Sequence, residues 1–388
     1  MKNALYASHL GVNAIASWSA TTGLAEAARR SVEALIAAGV DVCLEDVDYG
    51  APRDDRRLPD HLRALPRGRL YPIDLCFLNV NEMSALSRDY LRRPNRPSYL
   101  IGSWFWELPT LPRGIQANVA RVDEIWVASR FVREAMMGYT SAPIFTVPAV
   151  VEPRADENLT RHDLGLPEDS CLFLFNFDAH STFARKNPLA VIDAFREAFT
   201  RAERGVTAHL VLKAINLWSS PEGRAALLDE LERVDGVLIE DHLHPAEMAA
   251  LISLSDVYVS LHRAEGFGLG MAEAMYFRKP VIGTSYSGNM DFMTAENSCP
   301  VGYQLRELDA TDLMFNARFV SVYEPGQLWA EPDRRQAASW MRFLYENPTA
   351  RERIGSRGAA TIRRRSTRCS VGAAMRTRLE SIQADQAS

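Results

Sequence analysis

Paired cysteines, long apolar runs and an excess of basic charge are all missing from this chain. Its five cysteines, Cys43, Cys76, Cys171, Cys299 and Cys369, are scattered, odd in number and form no CxxC pair. That excludes a disulfide framework and a zinc site built on paired thiolates, and a reducing cytosol is the expected compartment. No charged stretch followed by an apolar segment opens the sequence, so no signal peptide is expected. Nor does any uncharged run approach the roughly 20 apolar residues that span a bilayer, so a membrane would be met only from the surface. Lys and Arg number 44 against 49 Asp and Glu, a net charge of -5. A nucleic-acid binder would show the opposite balance. Arginines still cluster at 53–69, at Arg92, Arg93 and Arg96, and at 351–368. These read either as solvated faces or as a cationic strip for anionic headgroups or a phosphorylated acceptor.

What is present is an ordinary globular composition, 47% hydrophobic and 24% charged, over 388 residues. That length predicts two domains. Short apolar runs alternate with amphipathic stretches, the pattern of parallel sheets covered on both faces. In the first half strands are expected at 40–47, 74–80, 98–102, 124–128 and 144–150, and helices at 23–38, 83–91, 113–121 and 130–137. The Pro-, Asp- and Arg-rich stretch 51–71 reads as an irregular excursion. A polar, Pro-containing linker follows from Glu152 to about Pro167. Strands then resume at 171–177, 209–213, 237–240, 256–260 and 280–284, with helices at 188–199, 221–234, 245–254 and 269–277. From 331 onward the pattern is helical, broken at Pro348. The expected division is an N-terminal domain over 1–155, a second domain over 156–365, and a tail over 366–388 that packs back on the first. Two such halves leave a cleft, and ligands of these sheets bind beyond the carboxyl ends of the strands.

The segment 255–292, SDVYVSLHRAEGFGLGMAEAMYFRKPVIGTSYSGNMDF, carries the most chemistry. An apolar strand ends at Ser260, and Gly266 and Gly268 permit a tight turn that leaves backbone N–H groups uncovered. A helix opening near Leu269 adds the positive end of its dipole, which together with the turn suits a diphosphate. Gly266, Gly268 and Gly270 do not fit the GxGxxG spacing of a dinucleotide fingerprint. Glu265 stands before the turn, in reach of sugar hydroxyls, and Glu273 stands in the helix, in reach of a ribose. Two glutamates at this spacing would by themselves be ordinary surface charge.

The whole string is more specific. ExFGxxxxEAM, followed by a small-residue loop after Lys279-Pro280-Val281, resembles the family-4 (group 1) retaining glycosyltransferases. The resemblance implies an α/β protein of the GT-B fold, two Rossmann-like parallel-sheet domains facing across a cleft. It implies that Glu265 touches the transferred sugar and Glu273 the ribose, with Gly266, Phe267, Gly268 and Leu269 forming the donor turn. The loop Ser285-Tyr286-Ser287-Gly288-Asn289-Met290-Asp291 resembles the family's second Gly turn, which puts Gly288 and Asn289 near the diphosphate. Its ending departs from the commoner GGxxE. Arg185-Lys186-Asn187-Pro188 resembles the lysine end of the family's cation pair. The usual Arg about five residues earlier is replaced by His180 and Ser181, leaving Arg185 or Lys213 as the second cation. Each well-placed donor opposite a leaving diphosphate is worth on the order of 3–4 kcal/mol in the transition state.

Further along the resemblance, the turn through His242 and His244 borders the nucleobase, and Thr22-Gly23 corresponds to the N-terminal Gly loop. Trp104-Phe105-Trp106-Glu107-Leu108-Pro109 resembles enzymes of bacterial cell-surface polysaccharide assembly, making Trp104 and Glu107 acceptor candidates; tryptophan is equally a core residue. His242 and His244 are too few for a metal, Asp46-Val47-Asp48 lies on an early strand, and no metal or cofactor is expected. The implied activity is metal-independent, retaining transfer from a nucleotide diphosphate-sugar to a saccharide hydroxyl. A lipid-linked acceptor at the inner face of the membrane is the preferred class. A soluble small-molecule acceptor and a nucleotide-sugar-binding protein without transferase activity are the alternatives.

Overall fold

The computed structural model describes residues 9–87, 98–199, 205–309, 312 and 323–387. The chain forms two compact units: Met1–Trp106, Thr110–Val150 and Arg364–Ser388 make the first, Glu107–Pro109 and Val151–Arg363 the second.

The first unit is built on a six-stranded parallel sheet. Its strands are β1 (Gly11–Ala16), β2 (Asp41–Asp46), β3 (Ile73–Cys76), β4 (Tyr99–Trp104), β5 (Glu124–Val127) and β6 (Ile144–Thr146), in the order β2-β1-β3-β4-β5-β6. Helix α1 (Gly23–Ala37) follows β1, while α2 (Arg113–Val119) and α3 (Arg130–Met137) flank β5. The sequence expectations omitted β1, the strand that receives both β2 and β3. Asn13 puts an amide in the middle of this six-residue strand. It is tolerated because its Nδ2 donates to Tyr71 O at 2.8 Å and Asp74 Oδ1 at 2.7 Å, while its Oδ1 accepts from the Leu70 and Tyr71 N–H groups. Every polar valence is satisfied, so burial costs little.

The second unit repeats the plan. Strands β7 (Cys171–Asp178), β8 (Ala208–Ile215), β9 (Val237–Ile239), β10 (Val257–Ser260), β11 (Val281–Thr284) and β12 (Cys299–Val301) align as β12-β11-β10-β7-β8-β9. Between them run α4 (Phe183–Lys186), α5 (Pro188–Ala198), α6 (Pro221–Glu232), α7 (Pro245–Leu254) and α8 (Leu269–Tyr276). Proline at the first turn of α5, α6 and α7 sets φ where no N–H is required. Strand β12 and an antiparallel hairpin, β13 (Tyr303–Glu307) with β14 (Leu328–Pro332), were not expected. Helices α9 (Arg334–Glu346) and α10 (Pro348–Arg365) follow, Pro348 opening the second.

Helix α11 (Arg368–Ala387) belongs to the first unit, where Val371, Met375, Leu379 and Ile382 join the core formed by Val32 and Leu35 of α1. Gly372 permits the approach: a Cβ there would lie 2.2 Å from Ala34 O. The excursion 51–71 holds a 3-10 turn at Asp55–Arg57 and one helical turn at Asp60–Arg63, tied to the core by Leu58 and Leu62. The helix expected over 83–91 is a 3-10 turn at Glu82–Ala85; its remainder from 88, and the cluster Arg92, Arg93 and Arg96, lie outside the described residues. No described helix is long and apolar enough to cross a membrane. The described cysteines are all free.

Candidate donor site

In the second unit β7 comes first in sequence, with β8 on one side and β10 on the other. The strand order reverses there, and the loops leaving the carboxyl ends of β7 and β10 diverge to opposite faces of the sheet. Such a switch point opens a crevice without any side chain having to be removed.

The β7 loop is shaped by its own polar groups. Asp178 caps a 3-10 turn at Ala179–Ser181, its Oδ1 accepting from His180 N at 2.9 Å and Asn216 Nδ2 at 2.9 Å. The chain then makes the short α4, which carries Arg185 and Lys186, and leaves it through Asn187 in the left-handed conformation at φ 57. Asn187 Nδ2 donates to Leu261 O at 3.0 Å, and Arg263 N donates to Arg185 O at 2.8 Å. These bonds stitch the β7 loop to the end of β10.

Glu265 is thereby brought against both cations. Its Oε1 pairs with Lys186 Nζ in a direct hydrogen bond and lies 3.3 Å from Arg185 Nη1. Burial alone would raise this carboxyl, but Lys186, Arg185 and His262 outweigh it and hold it at about 2, far below the usual range. It is therefore an anion at any physiological pH.

Two turns clasp around Glu265. Its N–H donates to Ser287 Oγ at 2.8 Å, and its carbonyl accepts from Gly288 N at 2.8 Å. A Cβ at Gly288 would fall 2.1 Å from Gly266 O, so only glycine allows these backbones to touch. Ser287 holds a positive φ of 76, and Gly268, capping α8 at φ 91, takes the left-handed conformation that glycine adopts without a Cβ clash. Gly270, in the first turn of α8, lies where a Cβ would meet the Tyr258 hydroxyl at 2.3 Å.

Glu273 sits half-buried in the second turn of α8. Nearby in the second unit, Tyr258 is a buried phenol that donates to Asn176 Oδ1 at 2.7 Å. Burial first, then the charges of Glu265 and Glu273, push that phenol well above its ordinary value. Both glutamates therefore act electrostatically on the same phenol.

The other expected residues are placed differently. Phe267 is buried against Phe292, with ring centroids 5.2 Å apart, so only its backbone faces the turn. Leu269 is the half-buried first residue of α8. Asn289 is fully buried: its Nδ2 donates to Thr284 O at 2.9 Å and its Oδ1 meets His262 Nε2 at 3.1 Å. Its side chain is internal scaffolding. Lys213 is buried at the end of β8, donates to Ala214 O at 3.2 Å, and has Asp241, Asp178 and Glu240 as charged neighbours. Burial lowers its ammonium to about 8 against their opposition. His244 is exposed at the start of α7, its N–H donating to Glu247 Oε2 at 2.6 Å.

In the first unit Gly23 is exposed at the start of α1, behind the cap that Thr22 makes with Ala25 N at 3.2 Å. No described atom lies within 4 Å of where its Cβ would be. Trp104 is fully buried in the core, its Nε1 without a hydrogen-bond partner among the described residues. Glu107 belongs to the second unit, where its Oε1 lies 3.7 Å from Arg185 Nη2 and its Oε2 accepts from Tyr323 OH at 3.3 Å. Sequence reasoning missed Tyr323, Tyr258 and the buried His262. No local pattern marks them, although His262 stands three residues before Glu265 in the strand-end loop. Among the described residues no group of three or more His, Cys, Asp or Glu is placed to hold a metal.

Residues 179–305, which include Arg185, Lys186, Glu265 and Glu273, match the family model of glycosyl transferases group 1. The fold is GT-B. It is similar to that of Anabaena HepE in complex with UDP and glucose, at 14% identity and a TM-score of 0.68, covering 96% of this chain and 100% of that one. Sucrose-phosphate synthase from Thermosynechococcus elongatus is 15% identical with a TM-score of 0.68, over 97% of this chain and 100% of that one. The pneumococcal O-GlcNAc transferase GtfA in complex with UDP and GlcNAc is 10% identical with a TM-score of 0.62, over 97% and 99%. No curated protein matches the chain by sequence.

Proposed function

We infer that this chain, which carries a group 1 glycosyltransferase domain on the GT-B fold, moves a sugar from a nucleoside diphosphate-sugar to a hydroxyl of a saccharide acceptor, with retention at the anomeric carbon. The observation that carries the reading is the pairing of Lys186 with Glu265 where the sheet order reverses between β7 and β10. The diphosphate takes the Gly266–Gly268 turn and the start of α8, with Lys186 as its cation. Glu265, held ionised, orients the sugar hydroxyls, and Glu273 accepts from the ribose. Solved structures of similar fold hold UDP with glucose or GlcNAc, which makes a UDP-sugar the first donor to try.

On this reading the departing phosphate takes the acceptor's proton as the new glycosidic bond forms on the same face. Lys186 stabilises the charge that develops on the leaving oxygen, and no divalent metal is required. The acceptor is a lipid-linked saccharide of polysaccharide assembly, met by a cytoplasmic enzyme at the membrane surface. The Trp104–Pro109 resemblance and the arginine clusters support that choice.

A thermal-shift screen against UDP-, GDP-, ADP- and dTDP-sugars identifies the donor. A true ligand at a hundredfold excess over Kd stabilises by about 2.7 kcal/mol. NMR of the product anomer then decides stereochemistry, and an inverted product rejects the retaining mechanism. Full activity in EDTA is expected; loss restored by a divalent ion rejects metal independence.

A further inference from the structure

We propose that Glu107 and Tyr323 are positioning residues that act through Arg185 on Glu265. The proposal rests on the reading of Glu265 as the group that orients the donor sugar.

Arg185 has almost no freedom to meet a ligand. Its side chain is buried, Nη1 donates to Ala264 O at 2.7 Å and faces Glu265 Oε1, and Nη2 donates to Ser181 O at 2.8 Å and faces Glu107 Oε1. These four contacts occupy both terminal nitrogens, and Nε is buried without a hydrogen-bond partner among the described residues. Arg185 is thus a brace between two carboxylates, and of the Arg185–Lys186 pair it is Lys186 that is left as a cation for a diphosphate.

Charge balance explains the brace. Arg185 and Lys186 face Glu265 and Glu107, two cations against two anions. A buried guanidinium with a single carboxylate would close on it at the 2.7–2.9 Å of a charge-assisted bond. Here Arg185 is shared, at 3.3 Å from Glu265 and 3.7 Å from Glu107. Sharing leaves lone pairs of Glu265 open to a sugar hydroxyl. Tyr323 fixes the far end: its buried hydroxyl donates to Glu107 Oε2 and also bonds the Thr182 side chain. Thr182 caps α4 from a positive φ of 73, so the network reaches the start of the segment that carries both cations.

The test compares Glu107→Gln and Tyr323→Phe in the full chain, starting with UDP-glucose as donor and UDP as product, then the GDP-, ADP- and dTDP-sugars in turn. Both changes keep size and shape. The expected result is a kcat lowered about tenfold, with donor KM and nucleoside diphosphate Kd within about threefold and the melting temperature nearly unchanged. That signature belongs to a group felt mainly in the transition state. Glu107→Asp, which keeps the charge, should recover part of the rate. A wild-type kcat in Glu107→Gln overturns the proposal, and so does a loss of rate matched by equal losses of nucleotide affinity and stability. Glu265→Gln, measured alongside, separates the two levels. If it is inactive while Glu107→Gln is normal, only the positioning role fails. If it retains full turnover, the reading of Glu265 fails and the positioning role with it.

Discussion

Lys186 and Glu265, 79 residues apart in the chain, form an ion pair at the carboxyl ends of the two adjacent strands β7 and β10. The pair sets the charge state of the candidate site. Glu265 is held anionic by two cations, and one of them, Lys186, is the group proposed above to receive a diphosphate.

Removing that cation exposes the opposing effect of burial. In Lys186→Met the Glu265 carboxyl loses its nearest positive charge while its desolvation remains, so its pKa rises from about 2. The wild-type rate should be flat on the acid side down to about pH 5, because the carboxylate stays ionised there. The variant should lose activity as pH falls through its raised pKa, and at pH 8 its kcat should be lower by about 100-fold for want of the phosphate cation. A pH–rate profile from 5 to 9 checks both parts. An unchanged acid limb rejects the electrostatic account.

The same pair makes folding stability depend on acid. The folded pKa of Glu265 lies below its ordinary value near 4.3, so the unfolded chain binds the proton more readily. Its stabilisation is complete above that value and is lost as pH falls from about 4.3 toward about 2. Denaturant melts of wild type and Glu265→Gln should differ at pH 6 and converge in that window.

Glu273→Ala should weaken nucleoside diphosphate binding by about 10- to 100-fold, the loss of hydrogen bonds to a charged acceptor. Calorimetric titration measures it. Unchanged affinity and turnover would remove Glu273 from the ribose.

Two glycines separate packing from ligand approach. Gly288→Ala drives a methyl group to 2.1 Å from Gly266 O and must open the clasp around Glu265. A cost of about 1–3 kcal/mol and a lower melting temperature are expected, with loss of activity. Gly23→Ala meets open space at a helix start and should leave stability equal or slightly higher. If the α1 loop approaches the donor, activity falls nonetheless. Normal activity in a stable Gly23→Ala variant excludes that role.

The sequence by itself determined the alternation that builds two parallel sheets, and the Glu265-to-Glu273 segment with its Gly turn. Those are local: apolar periodicity, glycine at tight turns and proline at helix starts act over a few residues. Only the tertiary structure decided how residues far apart share charge and space. It showed that Asn13, an amide inside the central strand β1, is satisfied by Tyr71 and Asp74. It buried Trp104 and Asn289, whose neighbours in sequence suggested ligand contacts. It brought Glu107 to within 3.7 Å of Arg185, and Tyr323 to Glu107, contacts between residues far apart in the chain. A buried ion or amide is stable only with its partners in place, and those partners are fixed by the packing of distant strands and loops.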